Sequence, residues 1–417
     1  MNYKIVIILI IFVKILNIIV FPFKKKIQSL SNFEEYLMLN DLISEIRIGS
    51  PEQKIEIIIK GEEHPFLISK IHEIYNENFS STYQKLLEGE NESNYDSFKK
   101  YYLSTETFRM KNEKNENIEI KNLTFIYAIT SNYKNLLNPA IIGLYYQDYT
   151  NLYEYNLLLL LKHYDIIKNY AFSIEYMEEN KGKLYLGDYF HDFNLSYNQK
   201  DFNEINSIFM GVGYVWGNRF NNVTFNNISL PESNFEFYFN ITFTGIIGTD
   251  SFENILKRNF FFDNKICEKI SILKNSFNAY ICNKDFDYKK FKELKFYHKE
   301  LNETFILDYN DLFKEENGKI YFLIIFKPYG TKTWLLGEPF LKKYPFTYNQ
   351  DKKKIGFYKI RSNNNKFTLH YTWLIIIFLI IICLLLLFLF LRNIMNKPRK
   401  LRANELEDNY DYISQFN

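Results

Sequence analysis

Between Tyr36 and about Lys359 the chain is a succession of short apolar runs separated by polar punctuation. The runs are rich in Ile, Tyr, Phe, Val and Thr, the texture of half-buried strands. This predicts strands over Ile46–Gly49, Ile55–Ile59, Phe125–Ile129, Tyr170–Tyr176, Lys183–Leu186, Asn234–Phe243, Leu294–Tyr297 and Ile320–Phe326. The clearest helical stretches are Asn156–Tyr164 and Asp250–Phe260, where apolar residues recur at three and four. Strands that dominate two similar halves predict a mainly β protein of paired β lobes, rather than an alternating α/β sheet.

Two longer apolar segments break this texture. In residues 1–22, Lys4 precedes an apolar run from Ile5 to Val20, interrupted only by Lys14 and Asn17. That is the layout of a secretory signal peptide, with an uncleaved anchor as the alternative and no small-residue cleavage site in view. Thr372–Leu391 is apolar and uncharged throughout. As a helix rising about 1.5 Å per residue it matches the roughly 30 Å of a bilayer's hydrocarbon core. Arg392, Lys397, Arg399, Lys400 and Arg402 follow at once, as expected on the cytoplasmic side. The expectation is a single-pass type I membrane protein: residues 363–371 as juxtamembrane link, 372–391 as the transmembrane helix and 392–417 as tail. Its body then faces the lumen of the secretory or endolysosomal system or the cell exterior. In the tail, Tyr410 and Ile413 form a Tyr-x-x-apolar pattern of the kind a sorting adaptor reads as an extended peptide; a solvated acidic tail is the alternative.

Composition narrows the function classes. A net charge of +2 on 417 residues gives no argument for nucleic acid or for a strongly acidic partner. The 40 Phe and 34 Tyr follow a bias toward Asn, Lys, Ile, Tyr and Phe, so single aromatic runs carry little weight. Of the cysteines, Cys383 lies in the apolar segment, while Cys267 and Cys282 lie in the exported body, where oxidation is permitted. Their disulfide would contribute about 3 kcal/mol on the chain-entropy model, two buried thiols being the alternative. Asn-x-Ser/Thr sequons at Asn78, Asn91, Asn122, Asn194, Asn222, Asn227, Asn240 and Asn302 fit export, since none lies in the apolar segment or the tail.

Read in order, the short motifs resemble the pepsin-like aspartic proteases along nearly the whole body. Ile46–Lys60, IRIGSPEQKIEIIIK, is similar to the family's opening hairpin, with Gly49 and Pro51 as turn residues. Ser80-Ser81-Thr82-Tyr83 resembles the segment ahead of the flap, and Pro139-Ala140-Ile141-Ile142-Gly143-Leu144 the strand supporting the first catalytic loop. Phe172-Ser173-Ile174 with Gly182-Lys183-Leu184-Tyr185-Leu186-Gly187 resembles the hairpin leading between lobes. Trp334-Leu335-Leu336-Gly337-Glu338-Pro339-Phe340-Leu341, Tyr344 and Ile355-Gly356-Phe357 are similar to the family's closing stretch. The resemblance implies a two-lobed pepsin-like β-barrel fold, with lobes at 23–200 and 201–362, and a cleft that takes an extended peptide or protein.

The chemistry of that family needs two carboxylates that share a proton and activate a water. Each stands in Asp-Thr/Ser-Gly, and this chain has no Asp-x-Gly at all: none of its 15 glycines has Asp two positions earlier. Following the resemblance, Lys60 occupies the first aspartate's place and Gly248 the second's. Glu62 and Asp250 each stand two positions later, so a displaced pair in an active aspartic-type endopeptidase is the alternative to a silent homologue. Tyr95 matches the flap tyrosine, although Asp96-Ser97-Phe98 lacks the glycines that let a flap tip bend. The six histidines form no zinc motif, and the nucleophile-elbow and phosphate-loop patterns are absent, so neither metal nor cofactor is expected. Gly211-Val212-Gly213 reads as a strand-edge kink, and Trp216 and Trp334 as core residues rather than cleft lining.

Overall fold

The computed structural model describes residues 17–26, 29–38, 41–61, 65–70, 72–90, 98–131, 140–144, 155–177, 180–208, 216–261, 266–359 and 378–392. Two units result, Met1–Lys359 and Ile360–Asn417.

The opening hairpin shows how pattern becomes structure. Strand Leu42–Ile48 pairs antiparallel with Gln53–Lys60 from Leu42↔Ile59 to Ile48↔Gln53. At its turn Gly49 takes φ +86°, and a Cβ there would lie 2.9 Å from Ser80 Oγ. That hydroxyl accepts from Ser50 N at 3.0 Å, and Ser81 N donates to Ser50 O at 2.7 Å. Two motifs thirty residues apart therefore build one turn. Past the turn, alternation gives way to the fully buried run Ile57-Ile58-Ile59. This end of the strand has a neighbour on both sides, because Ile58 and Ile59 also pair in parallel with Ile141 and Ile142.

Among the described residues, thirteen strands make up the first sheet. Strand Ile19–Lys25 lies inside it, paired antiparallel with Lys181–Leu186 from Ile19↔Leu186 to Lys24↔Lys181. Ile19, Phe21 and Phe23 are at most 2% exposed; burial of each is worth about 2 kcal/mol. The expected signal-peptide boundary at residue 22 falls inside this strand. The apolar run toward Val20 is thus in part a core strand, which a hydrophobic stretch alone does not distinguish from a leader.

The sheet also crosses the expected lobe boundary at 200/201. Strands Phe346–Asn349 and Lys354–Tyr358 return to it, the former pairing with Ala171–Tyr176 and the latter with Phe202–Asn206. A buried ion pair fastens the same region, with the Lys25 ammonium on the carboxylate of Glu338 at the start of helix Glu338–Lys343. Removing one partner of such a pair costs about 3–5 kcal/mol.

The second half carries a nine-stranded and a four-stranded sheet. Strand Ile246–Gly248 lies parallel to Ile324–Phe326 and antiparallel to Trp334–Leu336. Its core is aromatic: Phe220, Phe296, Phe305 and Phe340 pack around one another, with Trp334 on Phe252 and Phe296 at 5.3 and 5.0 Å. Trp334 is fully buried, and Trp216 packs on Phe172 and Tyr348, so both are core residues. Cys267 and Cys282 form the disulfide, across directly paired positions of the hairpin Cys267–Ile272/Phe277–Asn283.

Two predicted strands are shorter than expected. The run from Asn234 keeps only Phe235–Phe239, because the Asn240 side chain accepts from Thr242 N at 2.9 Å and turns the chain. The run Ile320–Phe326 breaks at Leu323, whose N–H goes to Leu312 O and whose carbonyl accepts from Ile246 N, both at 2.9 Å. The predicted helices are observed as Leu157–His163 and Asp250–Asn259.

In the C-terminal unit residues 378–392 are helical, with side chains such as Leu386 and Phe388 more than 60% exposed. No helix among the described residues is long and apolar enough to cross a membrane. The expected span from Thr372 begins outside the described residues, as do Tyr410, Ile413 and the Gly211-Val212-Gly213 segment.

Candidate functional site

Each half ends a buried apolar strand at the residue that the sequence resemblance sets in an aspartate's place. Ile58-Ile59-Lys60 runs parallel to Ile141-Ile142-Gly143, and Ile246-Ile247-Gly248 runs parallel to Ile324-Ile325-Phe326. The two constructions match strand for strand, which places Lys60 and Gly248 at equivalent ends.

Lys60 is not free in its loop. Its Nζ donates to Asp41 Oδ1 at 2.9 Å, both side chains being mostly shielded, at 18% and 25% exposure. Asp41 stands one step beyond the Leu42↔Ile59 pair, so the two charges are cross-strand neighbours at the end of the hairpin ladder. Such a pair contributes about 1 kcal/mol. The next residue, Gly61, is where the halves approach: a Cβ there would meet Ile241 Cγ1 at 2.9 Å. Buried Tyr176 holds that turn by donating its hydroxyl to Ile241 O.

Gly248 faces a different constraint. A Cβ on it would lie 2.9 Å from Phe326 Cε1, 3.0 Å from Ile324 Cγ2 and 3.3 Å from Trp334 Cζ3. A side chain at this position would enter the aromatic core. Thr249 is fully buried and caps helix Asp250–Asn259, its hydroxyl accepting from Phe252 N and lying 3.0 Å from Ser251 Oγ. Asp250 is exposed in the first turn, its backbone N–H donating to Thr331 O at 3.2 Å and its carboxylate beside Gly330. Glu62 and Tyr95 lie outside the described residues.

The structure therefore brings together Lys60 with Asp41, and Gly248 with Ile324, Phe326 and Trp334, and neither of these two residues carries a carboxylate itself. Asp41 was missed in the sequence, although the hairpin register Ile48↔Gln53 places it opposite Lys60 when counted back. Among the described residues no cluster of three His, Cys, Asp or Glu side chains could hold a metal.

A family profile described as eukaryotic aspartyl protease matches residues 42–360. The chain belongs to that family. Among solved structures it is similar to basic 7S globulin from soybean, at TM-score 0.59 and 10% identity, covering 84% of this chain and 98% of that one. It is also similar to conglutin gamma, a basic 7S globulin from lupine seeds, at TM-score 0.60 and 12% identity, covering 83% and 96%. No curated protein matches the chain in sequence. At these identities the likeness is one of fold, and it covers both halves of the aspartyl protease body.

Of the expected sequons, Asn78, Asn122, Asn227 and Asn302 are exposed, Asn194, Asn222 and Asn240 are half-buried, and Asn91 lies outside the described residues. Asn240 uses its side-chain oxygen on Thr242 beside the Gly61 contact.

A second carboxylate feature lies away from the two loops. Asp188 accepts from Asn169 Nδ2 at 2.9 Å and Tyr189 N at 3.1 Å, while Asp192 reaches the same Tyr189 N at 3.3 Å. Burial, and then the hydrogen bond and charge of Asp192, push the Asp188 carboxyl up to about 7.

Two expectations follow from these geometries. Gly248→Asp should lower unfolding stability by about 3 kcal/mol or more in denaturant titration, since it overpacks the core and buries an unpaired carboxylate. A fully stable variant would mean that this position opens away from the core. For Asp188 the folded carboxyl holds a proton that the unfolded chain, at its ordinary 3.8, has released. Its stabilisation is complete below that value and is lost as pH rises through about 7. The melting temperature should therefore fall between about pH 4 and about pH 7, and Asp188→Asn should flatten the fall. An unchanged slope in the variant would remove Asp188 as its source.

Proposed function

We propose that the chain is a membrane-anchored, catalytically silent aspartyl protease homologue whose interlobe cleft binds an extended peptide or a protein segment. The observation that carries the silence is the Lys60–Asp41 ion pair at 2.9 Å, in the place of the first catalytic aspartate. An ammonium there opposes the shared-proton pair that activates water, and Gly248 offers no second carboxylate. Family membership supports a peptide ligand: the extended backbone that a protease would cut is instead held. Cleavage assays on the full chain in detergent at acidic pH, against a peptide library, should show no turnover, while extended peptides bind and helical ones do not. Inhibitor-sensitive cleavage abolished by Glu62→Gln or Asp250→Asn would establish the displaced pair and an active endopeptidase instead.

The exposed helix 378–392, which overlaps the uncharged run Thr372–Leu391 and ends at Arg392, supports a single type I span with the body lumenal or extracellular and the tail open to a sorting adaptor. Exposed Asn78, Asn122, Asn227 and Asn302 are the favoured glycan sites. The sheet position of Ile19–Lys25 supports leader removal ahead of Ile19. Protease added to sealed vesicles should trim only the tail, and N-terminal sequencing of the protected body should start before Ile19. Digestion of the body would reverse the orientation, and a start beyond Lys25 would contradict the leader boundary.

A further inference from the structure

A cavity of about 300 Å³ opens in the second half, away from the Lys60 and Gly248 loops. Helix Phe33–Met38 provides one wall through Tyr36, strand Phe313–Glu316 provides Lys314, and helix Glu338–Lys343 provides Glu338, Lys342 and Lys343. Both lining carboxylates with a cationic neighbour are already taken. Glu338 holds the ammonium of Lys25, and Asp311 accepts from Lys343 Nζ at 2.6 Å. Lys314 and Lys342 have no carboxylate within ion-pair distance among the described residues.

The Tyr36 hydroxyl is buried and has no hydrogen-bond partner among the described residues. Burial, with the charges of Glu338 and Glu316, pushes its pKa up, so it stays protonated and has a proton to donate. An unpaired buried hydroxyl is costly, and native proteins seldom leave one without a partner. The Lys314 ammonium lies 5.1 Å from the Tyr36 ring centroid, and crowding by the protein draws its pKa down. The wall thus offers three donors, two of them cationic, for which no hydrogen bond or ion pair is formed among the described residues.

We propose that this cavity binds the phosphate or sulfate group of a small molecule, held by Lys314, Lys342 and the Tyr36 hydroxyl. Charge-assisted hydrogen bonds to an oxyanion match that donor set. The site is independent of the cleft reading, since none of these residues belongs to the two loops, and it would stand if the chain proved to be an active protease.

The test titrates the full chain in detergent with inorganic phosphate, inorganic sulfate and a monosaccharide phosphate, at ionic strength matched with chloride. Thermal shift and calorimetry should show saturable binding of an oxyanion, weakened at least tenfold by Lys314→Met and by Lys342→Met. Tighter binding of the monosaccharide phosphate would identify an ester as the ligand, and equal binding the free ion. Tyr36→Phe should weaken binding severalfold while leaving the melting temperature of the ligand-free chain unchanged or higher, because it deletes an unpaired hydroxyl. Absence of saturable binding beyond the chloride control overturns the proposal, as does affinity unaffected by either lysine substitution. So does a marked loss of ligand-free stability in Tyr36→Phe, which would show that the hydroxyl is satisfied within the protein.

Discussion

An ammonium group at the end of a buried strand must find a counter-charge, and the Lys60–Asp41 pair at 2.9 Å meets that need. The rest of the candidate site follows from it. Asp41 stands opposite Lys60 because the hairpin register sets it there, and the register is in turn held by Leu42, Ile46 and Ile48 facing the core. On the proposed reading, a lysine so placed leaves the end of the first strand pair with no role in sharing a proton. The second strand pair is then under no demand to present a carboxylate, and Gly248 packs beneath Phe326 and Trp334 instead.

The fold itself does not depend on catalytic carboxylates. Its two halves are held by parallel pairings of Ile58–Ile59 with Ile141–Ile142 and of Ile246–Ile247 with Ile324–Ile325. They are joined by a shared sheet in which Phe346–Asn349 lies on Ala171–Tyr176. One hydrophobic cluster runs through both, from Ile57 and Ile59 to Phe340 and Tyr348. Apolar burial is non-directional and tolerates change at two loop tips, whereas a shared-proton pair requires both groups in register. On the proposed reading, two substitutions at strand ends remove the chemistry and leave the fold in place.

Much of the fold was legible in the chain. Period-two runs located most strands, the order of short motifs gave the family, and the two cysteines of the body gave the disulfide. What stayed hidden depends on contacts between distant residues. Strand Ile19–Lys25 has the same apolar texture as a leader, and only its pairing with Lys181–Leu186 separates the two. The break at Leu323 comes from hydrogen bonds to Leu312 and Ile246, which no local pattern encodes. Lys60 and Gly248 were visible as substitutions, but that one is neutralised and the other closed by aromatic rings could be read only in three dimensions. The lysine cavity likewise draws its walls from residues far apart in sequence, Tyr36 and Lys343 among them.

Calorimetric titration of the full chain with a statine-type transition-state analogue at acidic pH tests the central claim most directly. Such an analogue imitates the hydrated amide that two carboxylates sharing a proton hold far more tightly than substrate. With Lys60 neutralised by Asp41 and Gly248 closed off, no binding tighter than that of an ordinary extended peptide of the same length is expected. Binding at least a hundredfold tighter than that peptide, lost on Asp250→Asn, would contradict it.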